Sequence, residues 1–379
     1  MSQVTMETET PRPMFDTDEM VLNMGPQHPS THGVLRLVLK LDGERVVGCD
    51  PVIGYLHRGI EKLSEHRDYT QVVLLTDRMD YVAAATNNLG YVETIEKLYS
   101  LEVPRRARYI RTILAELQRV ASHLLWLGSS AGDLGALTVL LFGLRERELV
   151  LDLFEEYCGA RLTYNTMRIG GQPVDVPPDW GRKILAFCDE QERKLPDYED
   201  LLTNNRIFLQ RTKGIGVISG ADAIALGLSG PPLRGSGVAR DVRKDEPYAA
   251  YDEMDFDIAV GTEGDTYDRY LVRLEEIRQS LRILRQAVDG LPEGPVMGKV
   301  PRLIKPPAGE TFHAIEAPKG ELGFFVASDG KSVSPYRMRV RPASFCNLQA
   351  LPRLVVGHLV ADVVALVGTI DIVLGEVDR

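Results

Sequence analysis

The chain has 379 residues, 44% of them apolar, and a formal net charge of −10. That is ample material for a large core and too acidic a balance to neutralise phosphates, so a globular protein without a nucleic-acid partner is expected. Four cysteines, Cys49, Cys158, Cys188 and Cys346, stand far apart with no CxxC pair, which excludes a disulfide framework or a structural zinc site and fits a reducing compartment.

Residues 1–19 are acidic and polar with no apolar run, and read as a flexible N-terminal segment that is neither a secretory signal nor a lipid anchor. Residues 20–379 are expected to form one domain. The loop Gly25 to Gly33 sets His28 and His32 four apart. On a helix that spacing would aim both at one metal, but Pro29 biases His28 away from helical backbone and Gly33 loosens the other side. The loop is therefore a candidate polar pocket lining, against the plainer reading that both rings satisfy loop backbone groups. Val34 to Leu41 alternates in part, Asp42-Gly43 supplies a turn, and Glu44 to Val52 returns, giving a β-hairpin over 34–52.

From Gly54 the pattern turns helical, and a helical core is expected over about 55–290. His57 to Lys62, with Arg58 inside it, has the mixed charge of a solvated helix face. Tyr81 follows Arg78 and Asp80 at a helical position, where a tyrosine is either a core side chain with a satisfied hydroxyl or a donor at neutral pH. Ile110, Ile113, Leu114, Leu117, Val120, Ala121 and Leu124 follow a helical period, with Pro104 near the start. Leu137 to Cys158, Trp180 to Leu202 and Tyr267 to Val288 are further long helices. Asp133 lies in a glycine-rich break between the first two, either as the N-cap of the next helix or as an acid that orients a histidine.

Gly and Pro cluster between Gly214 and Gly237 and between Gly290 and Gly309, marking irregular connections. Leu322 to Val326 and Tyr336 to Val340 flank a polar loop and read as a second hairpin. Leu354 to Leu374 is the most apolar stretch, but His358, Asp362 and Asp371 interrupt it, so it reads as a buried element rather than a membrane span. The expected fold class is α+β: a central helical bundle with small β elements near both ends, closed by a β and helical segment over about 316–379. No GxGxxG fingerprint opens a βαβ unit, so this chain is not expected to bind NADH itself.

The segments GPQHPSTHG, IGYLHRGIEKL, DRMDY, ASHLLWLG, DLGALT, FGLRERE, RIGG, LRGSGVARDVRK, APKGELGFFVASDG, YRMRVRPASFCNLQAL and DIVLGEVDR, spread from about Glu19 to Arg379, together resemble the D-subunit family of respiratory complex I, the NADH:quinone oxidoreductase. That family is related to the nickel-iron hydrogenase large subunit. Arg78 to Ala83 and Asp371 to Arg379 read like hydrogenase metal loops without their thiolates, and Glu316 to Gly320 is similar to the segment that lies over the metal in those enzymes. Soft metals are held by deprotonated sulfur, so no metal is expected here.

The resemblance implies a hydrogenase-large-subunit-like fold. It implies that the chain binds a quinone headgroup, ubiquinone or menaquinone, between itself and an adjacent iron-sulfur protein, the B subunit. The C subunit and the membrane-arm subunits are the further implied partners, at the cytoplasmic side of the cell membrane, with electron transfer coupled to proton translocation. His32 and Tyr81 match the headgroup contacts, and Asp133 the acid paired with that histidine. Arg58 matches an arginine close to the partner's cluster, while His28 and Val373 match cavity-lining positions. The chain is shorter than the usual family pattern between Pro301 and Glu316, which supports one alternative, a catalytically silent assembly scaffold. A metal-dependent hydrogenase is contradicted by the absent thiolates. The electron donor of the assembly stays open among NADH, ferredoxin and a deazaflavin.

Overall fold

The computed structural model describes residues 19–31 and 33–379. The chain begins with three antiparallel strands, β1 (Met20–Met24), β2 (Arg36–Asp42) and β3 (Arg45–Val52). In β2 and the residue before it, Leu35, Leu37, Leu39 and Leu41 are buried while Arg36 and Lys40 face outward, the period-2 pattern of a half-buried strand. The predicted hairpin is β2–β3. The structure adds β1, whose Met20 to Met24 pair with Leu41 to Leu37 in a stretch that sequence periodicity left as a loose start.

Short helices α1 (Ile60–Ser64) and α2 (Tyr69–Thr76) lead into the bundle, α3 (Ala84–Tyr99), α4 (Arg105–Asp133), α5 (Leu137–Cys158) and α6 (Trp180–Leu202). An irregular stretch follows with α7 (Arg206–Thr212), α8 (Gly220–Ala225), α9 (Pro231–Arg234) and α10 (Val242–Asp245), and α11 (Thr266–Asp289) completes the bundle. A second antiparallel sheet holds β4 (Gly309–Ala317), β5 (Gly320–Ser328) and β6 (Arg337–Arg341) in the order β4-β5-β6. The last elements are α12 (Ala343–Leu348), α13 (Leu351–Val355), α14 (Val360–Thr369) and α15 (Leu374–Asp378). The second predicted hairpin is present as β5–β6, and β4 extends it to three strands.

The α+β expectation therefore holds. The α5 and α6 boundaries coincide with those read from periodicity. Pro104 occupies the N-cap of α4, where its missing N–H costs nothing. That helix is longer than its apolar stripe and is buried on more than one face, because Arg111, Glu116, Arg119 and His123 are enclosed as completely as the stripe. Three local expectations are corrected. Tyr81 lies in the turn between α2 and α3, not in a helix, because Asp80 caps that turn by accepting the Val82 N–H at 3.0 Å. Asp133 is the last residue of α4, and Ala136 holds the N-cap position of α5. His57 and Arg58 likewise precede α1, which Gly59 opens in a left-handed conformation.

Apolar side chains form two cores. The larger lies among α2 to α6, α11 and the β4–β6 sheet. The smaller lies under the β1–β3 sheet and is closed by α13, α14 and the C-terminal segment. The candidate site sits where the two cores meet.

Candidate site between the Tyr81 turn and the C-terminal segment

The loop after β1 folds into a 3-10 turn at Pro29–Thr31, where the Thr31 N–H and hydroxyl both donate to the His28 carbonyl at 3.1 and 2.8 Å. This turn packs on α14. His28 is exposed, and His32 lies outside the described residues. Beyond it, a Cβ on Gly33 would sit 4.0 Å from the Leu374 Cβ. Asp133 comes to the same helix from the other side, lining a crevice with Ser130, Thr212, Val364 and Gly368.

The C-terminal segment joins these parts. After α14 the chain turns at Asp371, whose φ is 52°. Val373 is buried and donates its N–H to Ser344 Oγ at 3.3 Å, then α15 runs under the Tyr81 turn. There a Cβ on Gly375 would stand 2.5 Å from the Met79 carbonyl oxygen and 3.4 Å from the Tyr81 ring, so only glycine allows the approach. The Tyr81 ring is 38% exposed and its hydroxyl has no hydrogen-bond partner among the described residues. Burial and the neighbouring Asp80 carboxylate raise its pKa, against the pull of Lys319.

Behind Tyr81 lies a buried ionic cluster. The turn between β4 and β5 places Lys319 inside the molecule, where its ammonium stands 3.0 Å from Asp80 Oδ2, 3.9 Å from Asp371 Oδ2 and 3.2 Å from Ser122 Oγ. Glu376 is buried beside it and accepts the N–H groups of Ala343 and Ser344 at 3.0 and 3.1 Å, together with the Ser344 hydroxyl. Burial alone would lower the Lys319 pKa, but Asp371, Asp80 and Glu376 outweigh it and hold the ammonium charged. One ammonium does not neutralise three carboxylates. Burial and the Asp80 charge accordingly push Glu376 up to about 7, and burial raises Asp80 against Lys319.

Asp80, Lys319 and Glu376 all fall within the motifs that carry the family resemblance, yet the resemblance gave none of them a role. Their signal in the sequence was the pairing of two thiolate-free loops with a lysine segment. A second buried network joins Arg234 with Glu276 and Glu316 at 2.7 Å each and His123 with Glu276 at 2.8 Å, and Glu276 lies outside every motif that carries the resemblance. Burial keeps the His123 pKa low despite its glutamate.

Arg58 is placed by main-chain bonds to the C-terminal segment: its N–H donates to the Arg379 carbonyl at 3.2 Å. The guanidinium is exposed and forms no ion pair among the described residues. Ile53, Tyr55 and Leu56 beside it are exposed as well. The structure thus brings Tyr81, Val373, Arg58 and the end of the histidine loop onto one C-terminal segment, with Asp133 reached across α14. Among the described residues no group of three or more His, Cys, Asp or Glu is arranged to hold a metal ion, and no helix is long and apolar enough to cross a membrane.

In architecture and at its centre, this is an α+β helical-bundle protein with an internal ammonium seated among carboxylates. Residues 133–306 and 299–379 match the family of the respiratory-chain NADH dehydrogenase 49 Kd subunit. The chain is 58% identical over 365 residues to the NADH-quinone oxidoreductase D 2 subunit of Solibacter usitatus, covering 96% of this chain and 98% of that one. It is 52% identical over 366 residues to the D subunit of Bacillus mycoides, covering 96% and 100%, and 51% identical over 391 residues to that of Geotalea uraniireducens, covering 97% and 100%. The chain belongs to this 49 Kd subunit family. The Geotalea alignment, at 391 positions, is longer than the chain itself, so that relative carries residues missing here. The Bacillus alignment of 366 leaves no room for a long insertion, so the compact form is shared.

Proposed function

We propose that this chain, a complex I subunit by family, forms the quinone-reduction site together with an adjacent iron-sulfur subunit. The observation that carries the reading is the C-terminal segment, which passes near Gly33 at Leu374, runs against the Tyr81 turn at Gly375 and binds the Arg58 loop at Arg379. The names of the relatives give the acceptor class, a quinone. Its two carbonyl oxygens become strongly basic on two-electron reduction, so the site needs donors at both ends that can also yield protons. Tyr81 offers an unshared hydroxyl, and His32 is the second donor. Asp133 holds the protonated form of that histidine, and loss of the proton removes the positive charge beside it, which starts the rearrangement passed to the membrane arm. His28 and Val373 line the cavity.

The partner's cluster supplies the electrons. Arg58 sets a fixed positive charge toward it, favouring the reduced form, and the apolar side chains around Arg58 form the docking face. The iron-sulfur B subunit, the C subunit and the membrane arm are the partners, with the chain peripheral on the cytoplasmic side of the membrane. Ubiquinone and menaquinone fit the same donors.

In the assembled complex, Tyr81→Phe is expected to lower quinone reduction by about 10²-fold or more, the usual worth of a positioned proton donor. Electron entry measured with a soluble acceptor should be unchanged. Undiminished quinone turnover in that variant would end the proposal.

A further inference from the structure

The loop from Gly54 to Ile60 has little of its own to hold its shape. Its ends, Gly54 and Gly59, have φ of 108° and 68°, and glycine gains nothing from such a conformation that would keep it there. Every residue from Gly54 to Arg58 is exposed, so side-chain packing does not fix it either. Apart from one turn bond, from the His57 N–H to the Gly54 carbonyl at 3.2 Å, the shape comes from two residues of the C-terminal segment. The Asp378 carboxylate, itself 6% exposed, accepts the Gly54 N–H through Oδ1 at 2.8 Å and the Leu56 N–H through Oδ2 at 2.7 Å. Its main-chain carbonyl lies 2.6 Å from His57 Nδ1, so that nitrogen carries the proton. The Arg379 carbonyl receives the Arg58, Gly59 and Ile60 N–H groups at 3.2, 3.1 and 3.5 Å.

This end of the chain is anchored in turn. The Arg379 guanidinium lies over the Phe345 ring at 4.8 Å and 3.4 Å from Glu61, which also accepts the Val340 N–H of β6 at 3.0 Å. The clasp therefore ties the loop to the β4–β6 sheet. Hydrogen bonds to a carboxylate are roughly twice as strong as neutral ones, and the Asp378 side chain makes two of them to the loop.

We infer that Asp378 is a positioning residue: it fixes the 54–60 loop so that Arg58 presents its charge at a set distance from the iron-sulfur partner. The inference rests on the reading of Arg58 under the proposed function. A charge stabilises a reduced centre in proportion to its proximity, so a guanidinium on a slack loop spends less time where it acts. Two effects of removing the Asp378 charge have opposite signs. Deleting a negative charge near a redox centre raises its potential, whereas releasing Arg58 lowers it.

The test is a redox titration of the partner's cluster, followed by electron paramagnetic resonance in the assembled complex. Asp378→Asn keeps the shape but turns one acceptor into a donor, so the Leu56 or the Gly54 bond is lost. The expected result is a midpoint shifted to more negative potential, with no further negative shift when Asp378→Asn is added to Arg58→Gln. An equal shift of either sign in both backgrounds overturns the inference, because the lost Asp378 charge acts alike in both whereas the release of Arg58 acts only where Arg58 is present. Arg58→Gln alone leaving the midpoint in place removes the reading of Arg58, and the inference with it. Should Asp378→Asn fail to assemble, Asp378→Glu keeps the charge and displaces both acceptors by one methylene, and the same outcomes decide.

Discussion

Lys319 shows what a single residue does when the fold, rather than the residue's own preference, decides its place. A lysine between proline and glycine in a hairpin turn reads as solvated, and nothing in hydrophobic patterning says otherwise. The β4–β5 turn carries it beneath α4, and its relative exposure falls to 1%. There it faces three carboxylates, and burial, with the Asp80 charge added, makes Glu376 hold its proton up to about 7. The unfolded chain releases that proton in the ordinary glutamate range. The folded chain thus binds more protons between that range and about 7, and stability falls as pH rises across the window. A series of urea midpoints should show this decline, flattened in Glu376→Gln, which cannot titrate. A decline of equal slope in that variant would place the titration elsewhere. Tyr81 and Asp133 were legible as chemistry but not as conformation, because a turn and a helix terminus differ from their neighbours by local capping bonds that residue type alone does not specify.

Among elements, the long helices were the most legible. The apolar stripes of α5 and α6 stand beside a plain polar face, and the boundaries follow from the period. The apolar period of α4 gave its existence but not its full length, since part of its buried surface is charged and matched by partners far along the chain, Arg243 for Glu116, the Glu316 carbonyl for Arg119 and Glu276 for His123. Strands β1 and β4 were missed at the sheet edges, where pairing to an existing hairpin supplies what intrinsic pattern does not. The C-terminal segment after α14 reveals its role only in three dimensions. A methyl group at Gly375 would meet the Met79 carbonyl, a main-chain atom with no rotamer to change. Gly375→Ala is therefore expected to cost about 1–3 kcal/mol, the usual range for overpacking, and to raise the KM for quinone by displacing the Tyr81 turn. A thermal midpoint and a KM both equal to those of the parent chain would show that the turn moves aside freely.

At the scale of the whole molecule, the helical bundle and the β4–β6 sheet are joined through ionised groups as well as apolar ones. Arg234 on α9 is fully enclosed and binds Glu276 of α11 and Glu316 of β4, so bundle and sheet share one cation. Replacing it by leucine strands two buried glutamates, for which a loss of about 3–5 kcal/mol is expected. The denaturant midpoint measures it, and a variant as stable as the parent would show that the glutamates take up protons instead. The family resemblance named positions that patterning could not group, because 32, 58, 81, 133 and 373 are scattered in sequence; of these, Arg58 and Tyr81 lie beside the C-terminal segment that holds Val373, and Asp133 lines a separate crevice against α14. One consequence of the central ammonium reaches beyond the reaction. Tethered by its own side chain, it offsets part of the charge on Asp80 and Asp371 without an exchangeable ion, so that compensation does not vary with the ions in the surrounding solution.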